Sequence, residues 1–131
     1  MLDPAIKSFA QAANFAALSF RLPNGQIATQ VMWIDADDEH LLINTEVHRD
    51  KYTSIVASPD EVTVMIWDAS NPYRYAEVRG RFDGEVRGDQ ARAHIDAVSQ
   101  RYTGKDYQAQ VQSERVIMKI APIRQRTKDL G

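Results

Sequence analysis

The chain has 131 residues, of which 44% are hydrophobic and 26% charged, with a formal net charge of -2; this suits one globular domain with a real core. That charge gives no global pull toward nucleic acid or an anionic membrane, so any anion site must come from local placement of cations. The absence of cysteine excludes disulfides, thiolate catalysis and Cys-ligated zinc or iron–sulfur sites, no apolar run reaches the roughly 18 residues of a spanning helix, and the first seven residues lack a signal-peptide pattern, which makes the cytoplasm the expected compartment.

Asp3-Pro4 reads as a helix start, because Asp caps and Pro is tolerated in the first turn. Ile6, Phe9, Ala10 and Ala13 follow at helical spacing, so a helix is expected to about Ala13. Residues 15–22 (FAALSFRL) are β-like, and Asn24-Gly25 is a hairpin signal because both residues tolerate positive φ. Residues 27–35 form the return strand, 36–39 a polar turn and 40–45 a third strand, giving an expected three-stranded antiparallel meander. Residues 49–58 read as a helix with Tyr52, Ile55 and Val56 on one face. Residues 62–68 (VTVMIWD) are strongly β-prone, and 69–72 a loop. Residues 73–86 alternate as a long strand, with Tyr75, Glu77, Arg79 and Arg81 on one face and Arg74, Ala76, Val78 and Gly80 on the other. Gly80 marks a bulge or a close backbone approach. Residues 88–90 open a longer helix carrying Ala91, Ile95, Val98 and Tyr102, closed at Thr103-Gly104 with Gly in the C-cap role. Residues 115–120 form the last strand, and the polar tail from Arg124 is expected to fray. Six strands with hairpin connections and few helices argue for an antiparallel barrel in a single domain, 1–131.

Few motifs carry chemistry. His40, His48 and His94 have no metal-ligand spacing, no serine sits in a nucleophile elbow, and Asp37-Asp38-Glu39 reads as a solvated turn. A dinucleotide Gly-x-Gly-x-x-Gly is absent. Arg49 and Lys51 remain, with His48 beside them. They are either a solvated helix start or the phosphate end of a site, and the helix dipole bears on the choice. Cations at a helix N-terminus are unfavourable by about 0.3–1 kcal/mol, a cost that an anion seated between them and the helix amides removes. The run from Asn71 to Gly80, with Tyr73, Arg74, Tyr75 and Arg79, is rich in groups that stack and donate. Trp33 and Trp67 end two other strands and are placed to line the same pocket, although Trp33 fits a core anchor at least as well as a ring contact.

Together these residues resemble the pyridoxamine 5'-phosphate oxidase-like split β-barrel flavoproteins, and within them the branch that uses the deazaflavin coenzyme F420. Carrying the resemblance are Asn44-Thr45 ahead of Arg49-x-Lys51, Asn71-Pro72-Tyr73-Arg74-Tyr75 with Glu77-Val78-Arg79-Gly80, Arg101-Tyr102-x-Gly104-x-Asp106-Tyr107, and Glu114-Arg115-Val116-Ile117. It spans residues 15–122. It implies a mainly β, six-stranded antiparallel split barrel that forms a homodimer with two cofactor sites at the subunit interface. Arg49 and Lys51 then take the cofactor phosphate; Gln30, Val31, Met32 and Trp33 run along the deazaflavin ring; Asn44 and Thr45 bond ring or ribityl oxygens; Trp67, Asn71 and Tyr73 come from the second subunit. Members often carry small or basic residues where this chain has Glu46, Val47 and His48. The implied activity is hydride transfer from reduced F420 to an activated C=C, C=N or C=O bond of a small organic substrate, with Tyr73, Tyr75 or solvent as proton source. Two alternatives keep the fold: an FMN-dependent oxidase or reductase, and a non-catalytic binder of F420, haem or a tetrapyrrole. Small-barrel nucleic-acid binding is disfavoured by the absence of a basic stripe.

Overall fold

The computed structural model describes residues 1–130. Among them lie three helices and seven strands: α1 (Pro4–Ala10), β1 (Phe15–Arg21), β2 (Ile27–Met32), β3 (Asp35–Ala36), β4 (Leu41–Glu46), α2 (Asp50–Ala57), β5 (Val62–Asp68), β6 (Asn71–Arg87), α3 (Asp89–Thr103) and β7 (Arg115–Lys128). All strands join one antiparallel sheet in the order β2-β1-β5-β6-β7-β4-β3. Since β2 runs into β3 through Trp33 and Ile34 alone, the two sheet edges are tied together and the sheet curls to bring them close. The result is a mainly β split barrel, as expected, with seven strands in place of six.

Local chemistry explains the element ends. Asp3 caps α1 by accepting from Ala5 N at 2.8 Å, with Pro4 in the first turn. Gly104 ends α3 in the left-handed region, at φ 76°, where a Cβ would be strained. The β1–β2 hairpin closes through Leu22 N to Gln26 O at 2.8 Å and Gly25 N to Leu22 O at 2.9 Å. Only Gly25 there has positive φ, at 89°, so the turn is the three-residue kind with one left-handed position. Inside the barrel Leu18, Phe20, Ile43, Val64, Ile66, Val78, Met118 and Ile120 pack with Leu2, Ile6 and Phe9 of the N-terminal segment. On the far side of β4 and β7, α3 lays Ala91, Ile95 and Val98, leaving a second, smaller layer there.

Several expectations are corrected. The meander does not form: β4 pairs with β7 and β3, while β2 pairs with β1. Strand periodicity states which face is buried but not which strand lies alongside. The run 27–35 breaks at Trp33 and Ile34 because Ile34 N bonds the Tyr102 hydroxyl at 3.0 Å rather than a ladder carbonyl. Helix α1 stops at Ala10, and Ala13 has φ 57°. The loop 69–72 shrinks to Ala69-Ser70, since Asn71 already pairs with Asp68. The tail does not fray: Arg124 to Lys128 lie against Arg79 to Tyr75, and its polar side chains occupy the solvent face of a paired strand.

Gly80 is both readings at once. The β6–β7 register shifts beside it, opposite Pro122, and a Cβ would sit 2.6 Å from Ala121 O and from Ile120 Cγ2. Gly80→Ala is therefore expected to destabilise the fold by about 2–3 kcal/mol, read as a lower urea midpoint at unchanged slope.

Candidate cofactor site

A cavity of about 360 Å³ opens outside the barrel core. One wall is the β2–β3 junction, with Val31, Met32, Trp33 and Asp35; a second is Leu42, Asn44 and Thr45 of β4; a third is His94, Ile95 and Val98 of α3. Arg49 and Lys51 enter from the start of α2, Arg115 from the start of β7, and Phe15 and Tyr107 complete the rim. The strand-to-strand crossing, the strand alternation that turns Leu42 and Asn44 outward, and the α3 layer thus create the space together.

One end is cationic. Arg49 is the N-cap of α2 and makes no side-chain capping bond. The side chain of Lys51, in the first turn of α2, makes no hydrogen bond or ion pair among the described residues. Burial, then the charges of Arg49 and Arg115, hold its ammonium below the ordinary lysine pKa. Arg115 is also pushed down, first by burial, and stacks over the Tyr107 ring at 5.0 Å. The nearest opposing charge is Glu46, whose Oε2 is 4.0 Å from Arg49 Nε. That carboxylate is turned into the protein at 2% exposure and accepts from Gln112 N at 2.7 Å and Ser113 N at 3.3 Å. Burial raises its pKa, but the two amides and then Arg115 and His48 outweigh burial and leave it lowered. Three cations with one carboxylate, at a helix start lacking a side-chain cap, fit the chemistry of a bound phosphate or carboxylate.

Behind the cavity runs a chain of polar side chains, with Asp35 and Arg115 buried, His94 and Asn44 half-buried and Arg101 at the surface. Arg101 Nη1 and His94 Nε2 meet the two oxygens of Asp35 at 2.5 Å and 2.8 Å. His94 Nδ1 and Ala91 O each lie 2.9 Å from Asn44 Nδ2, and Asn44 Oδ1 accepts from Arg115 Nε at 2.9 Å. Asp35 is raised by burial but held below its ordinary pKa by His94, Arg101 and the Ala36 amide.

The other end is aromatic. Trp33 stacks on Tyr102 with centroids 5.1 Å apart and planes at 10°, and meets Tyr107 edge-on at 6.2 Å. Tyr102 is fixed in turn, donating to Asn14 O at 2.5 Å while accepting from Ile34 N. Trp33 is therefore a braced wall and not a mobile lid.

Of the residues singled out from sequence, the cavity brings together Val31, Met32, Trp33, Asn44, Thr45, Arg49 and Lys51. Gln30 lies on β2 opposite Leu18, off the lining. Trp67, Asn71 and Tyr73 lie on β5 and β6, outside the cavity of their own chain, and Tyr73 is 74% exposed. His48 bonds Ser113 Oγ at 2.5 Å and does not line the space. Both Asn44 amide hydrogens are engaged by protein. Sequence reasoning assigned no role to His94, Asp35, Arg115 or Tyr107; Arg101, Tyr107 and Arg115 stood only in the runs that carried the family resemblance.

The chain belongs to the pyridoxamine 5'-phosphate oxidase family, whose sequence model matches residues 2–129. Among solved structures, an F420 reductase superposes with a TM-score of 0.79 at 28% identity, over 93% of this chain and 96% of that one. A conserved hypothetical protein of Mycobacterium tuberculosis gives 0.76 at 23% identity, over 99% and 86%, and HutZ, a haem storage protein of Vibrio cholerae, 0.67 at 14%, over 99% and 96%; these two attest the fold alone. Comparison with curated proteins finds no match. No helix among the described residues is long and apolar enough to cross a membrane.

Proposed function

We propose that this chain is an F420-dependent reductase acting in the cytoplasm on a small organic substrate, its 131 residues forming one cofactor-binding domain. The observation that carries the reading is the cluster of Arg49, Lys51 and Arg115 at one end of a cavity whose other end is the braced Trp33. The likeness to an F420 reductase at 28% identity supports it. Arg49, Lys51 and Arg115 hold the phosphate end; Val31, Met32 and Trp33 lie along the ring; Thr45 borders the span between. Reduced deazaflavin, when bound, supplies a hydride to an activated double bond. The protein's own part is to orient that ring, to exclude water with Phe15, Ile95 and Val98, and to fix charge where the anion sits. A second copy of the chain belongs to this reading, set against the outer face where Val31 is 67% and Met65 41% exposed; it brings Trp67, Asn71 and Tyr73 to the neighbouring site, with Tyr73 or Tyr75 delivering the proton.

A second reading exchanges the cofactor for FMN. Arg49, Lys51 and Arg115 outnumber the carboxylates beside them at one end of the cavity, which suits a phosphate monoester dianion. Haem is disfavoured: among the described residues His94 is the one imidazole lining the cavity, and both its nitrogens are hydrogen-bonded, so ligating iron would break the chain behind the site.

The test is titration of the purified protein with F420, FMN and haemin in parallel, followed by the absorbance of reduced F420 with candidate enones and imines. Saturable F420 binding with substrate-dependent oxidation is expected. Tight FMN binding with no F420 response would overturn the cofactor, and binding without turnover of any acceptor would overturn the enzymatic role.

A further inference from the structure

The polar chain behind the cavity admits a single proton assignment. The Ala91 carbonyl only accepts, so the Asn44 atom facing it at 2.9 Å is the amide nitrogen. Arg115 Nε only donates, so the Asn44 atom facing it at 2.9 Å is Oδ1. These two partners orient the amide without reference to the histidine. The second amide hydrogen of Asn44 then points at His94 Nδ1, 2.9 Å away, and that nitrogen must present a lone pair. His94 is therefore the neutral tautomer protonated on Nε2, and it donates to Asp35 Oδ2 at 2.8 Å, while Arg101 occupies the other oxygen.

We propose that His94 and Asp35 are positioning residues for anion binding, holding Arg115 through Asn44 so that its guanidinium faces the same space as Arg49 and Lys51. The proposal rests on the anion-site part of the function proposed above and is independent of which cofactor carries the anion. Each link has one job. Asp35, at 6% exposure, selects the tautomer; the tautomer supplies an acceptor for Asn44; Asn44 fixes the Nε of Arg115, whose guanidinium also rests on the Tyr107 ring. The pull of Asp35 on His94 is offset on its far oxygen by Arg101, so the pair stays anchored to α3 rather than to the ligand. Arg115 sits beside the like charges of Arg49 and Lys51 and makes no ion pair among the described residues; the Tyr107 ring holds the face of its guanidinium and Asn44 holds its Nε, and without that acceptor repulsion favours its turning away.

The experiment measures sulfate binding by calorimetry, since sulfate carries the charge without the ring. His94→Leu removes the acceptor for Asn44 and is expected to weaken sulfate about tenfold, the effect of one charge-assisted hydrogen bond. His94→Asn places an amide oxygen near the former Nδ1 and is expected to bind within about threefold of wild type by retaining that bond. In an Arg115→Ala background, His94→Leu is expected to change nothing further. Thermal melts confirm that each variant folds, and nitrogen NMR of the imidazole is expected to report the Nε2–H tautomer. An Nδ1–H tautomer, an equal loss with or without Arg115, or a folded His94→Asn as weak as His94→Leu each overturns the proposal. Sulfate bound as expected with no F420 response sinks only the cofactor reading, whereas no sulfate binding at all by the wild type sinks both.

Discussion

Replacing Arg49 and Lys51 together by alanine is expected to weaken an anionic cofactor by about a hundredfold to ten-thousandfold and, at the same time, to make the ligand-free protein more stable. The first effect follows from the loss of two charge-assisted hydrogen bonds, each worth about 1.5–3 kcal/mol. The second follows from Lys51. Its pKa lies below the ordinary lysine value of 10.5, chiefly through burial and then through Arg49 and Arg115. The folded protein thus holds that proton less tightly than the unfolded chain does. Between the folded pKa and 10.5 the unfolded state binds more protons, so stability rises with pH across that window and is penalised below it. Removing the lysine removes the penalty, so the double variant should melt higher at neutral pH and lose the alkaline rise. A functional cluster kept at the expense of stability is the usual signature of a binding site. Fluorescence titration and melts from neutral pH upward provide the check. A double variant that binds like wild type, or that melts lower throughout, removes the anion site.

How far the sequence foretold this arrangement depends on how local each signal is. The caps of α1 and α3, the Gly25 turn and the β6 alternation each rest on neighbours within a turn or two, and each appears in the structure. The partner of β4 does not: Asn44 lies opposite Ile117, and Thr45 opposite Val116, pairings that no alternation within either strand specifies. The same holds for the extension of β7, whose polar residues read as a tail until β6 is seen beside them. At the site, Arg49 and Lys51 were visible because they adjoin in sequence. His94 and Asp35 were not, being 59 residues apart; one reads as an ordinary helix histidine, the other as the end of a strand. Arg115 lay in a run that marked the family, yet nothing in its spacing tied it to Lys51.

Glu46 carries the remaining large effect. A negative side chain three residues ahead of Arg49 looks opposed to anion binding, and on charge alone its removal should help. Its geometry argues otherwise. Glu46 is 2% exposed and receives the backbone amides of Gln112 and Ser113, while Val47 N bonds Glu114 O at 3.0 Å. It thereby fixes the chain that leads into Arg115 and is a counter-charge to cations that would otherwise face only each other. Glu46→Ala leaves two amides without acceptors and the cluster uncompensated, and is expected to cost about 3–5 kcal/mol. Because the folded pKa of Glu46 lies below the ordinary glutamate value of 4.5, its contribution is present above that value and lost as pH falls through the folded pKa; the variant should therefore show a shallower acid limb. Glu46→Gln separates the two roles. The amide oxygen still accepts from Gln112 and Ser113, so the entry to β7 stays in place, while the charge is gone. The Gln variant is expected to bind anions at least as well as wild type with a modest loss of stability, and the Ala variant to lose both. Urea unfolding across pH, paired with sulfate calorimetry, measures both quantities. Equal anion affinity in the two variants would show that Glu46 acts by charge alone and that the 112–113 contact does not place Arg115.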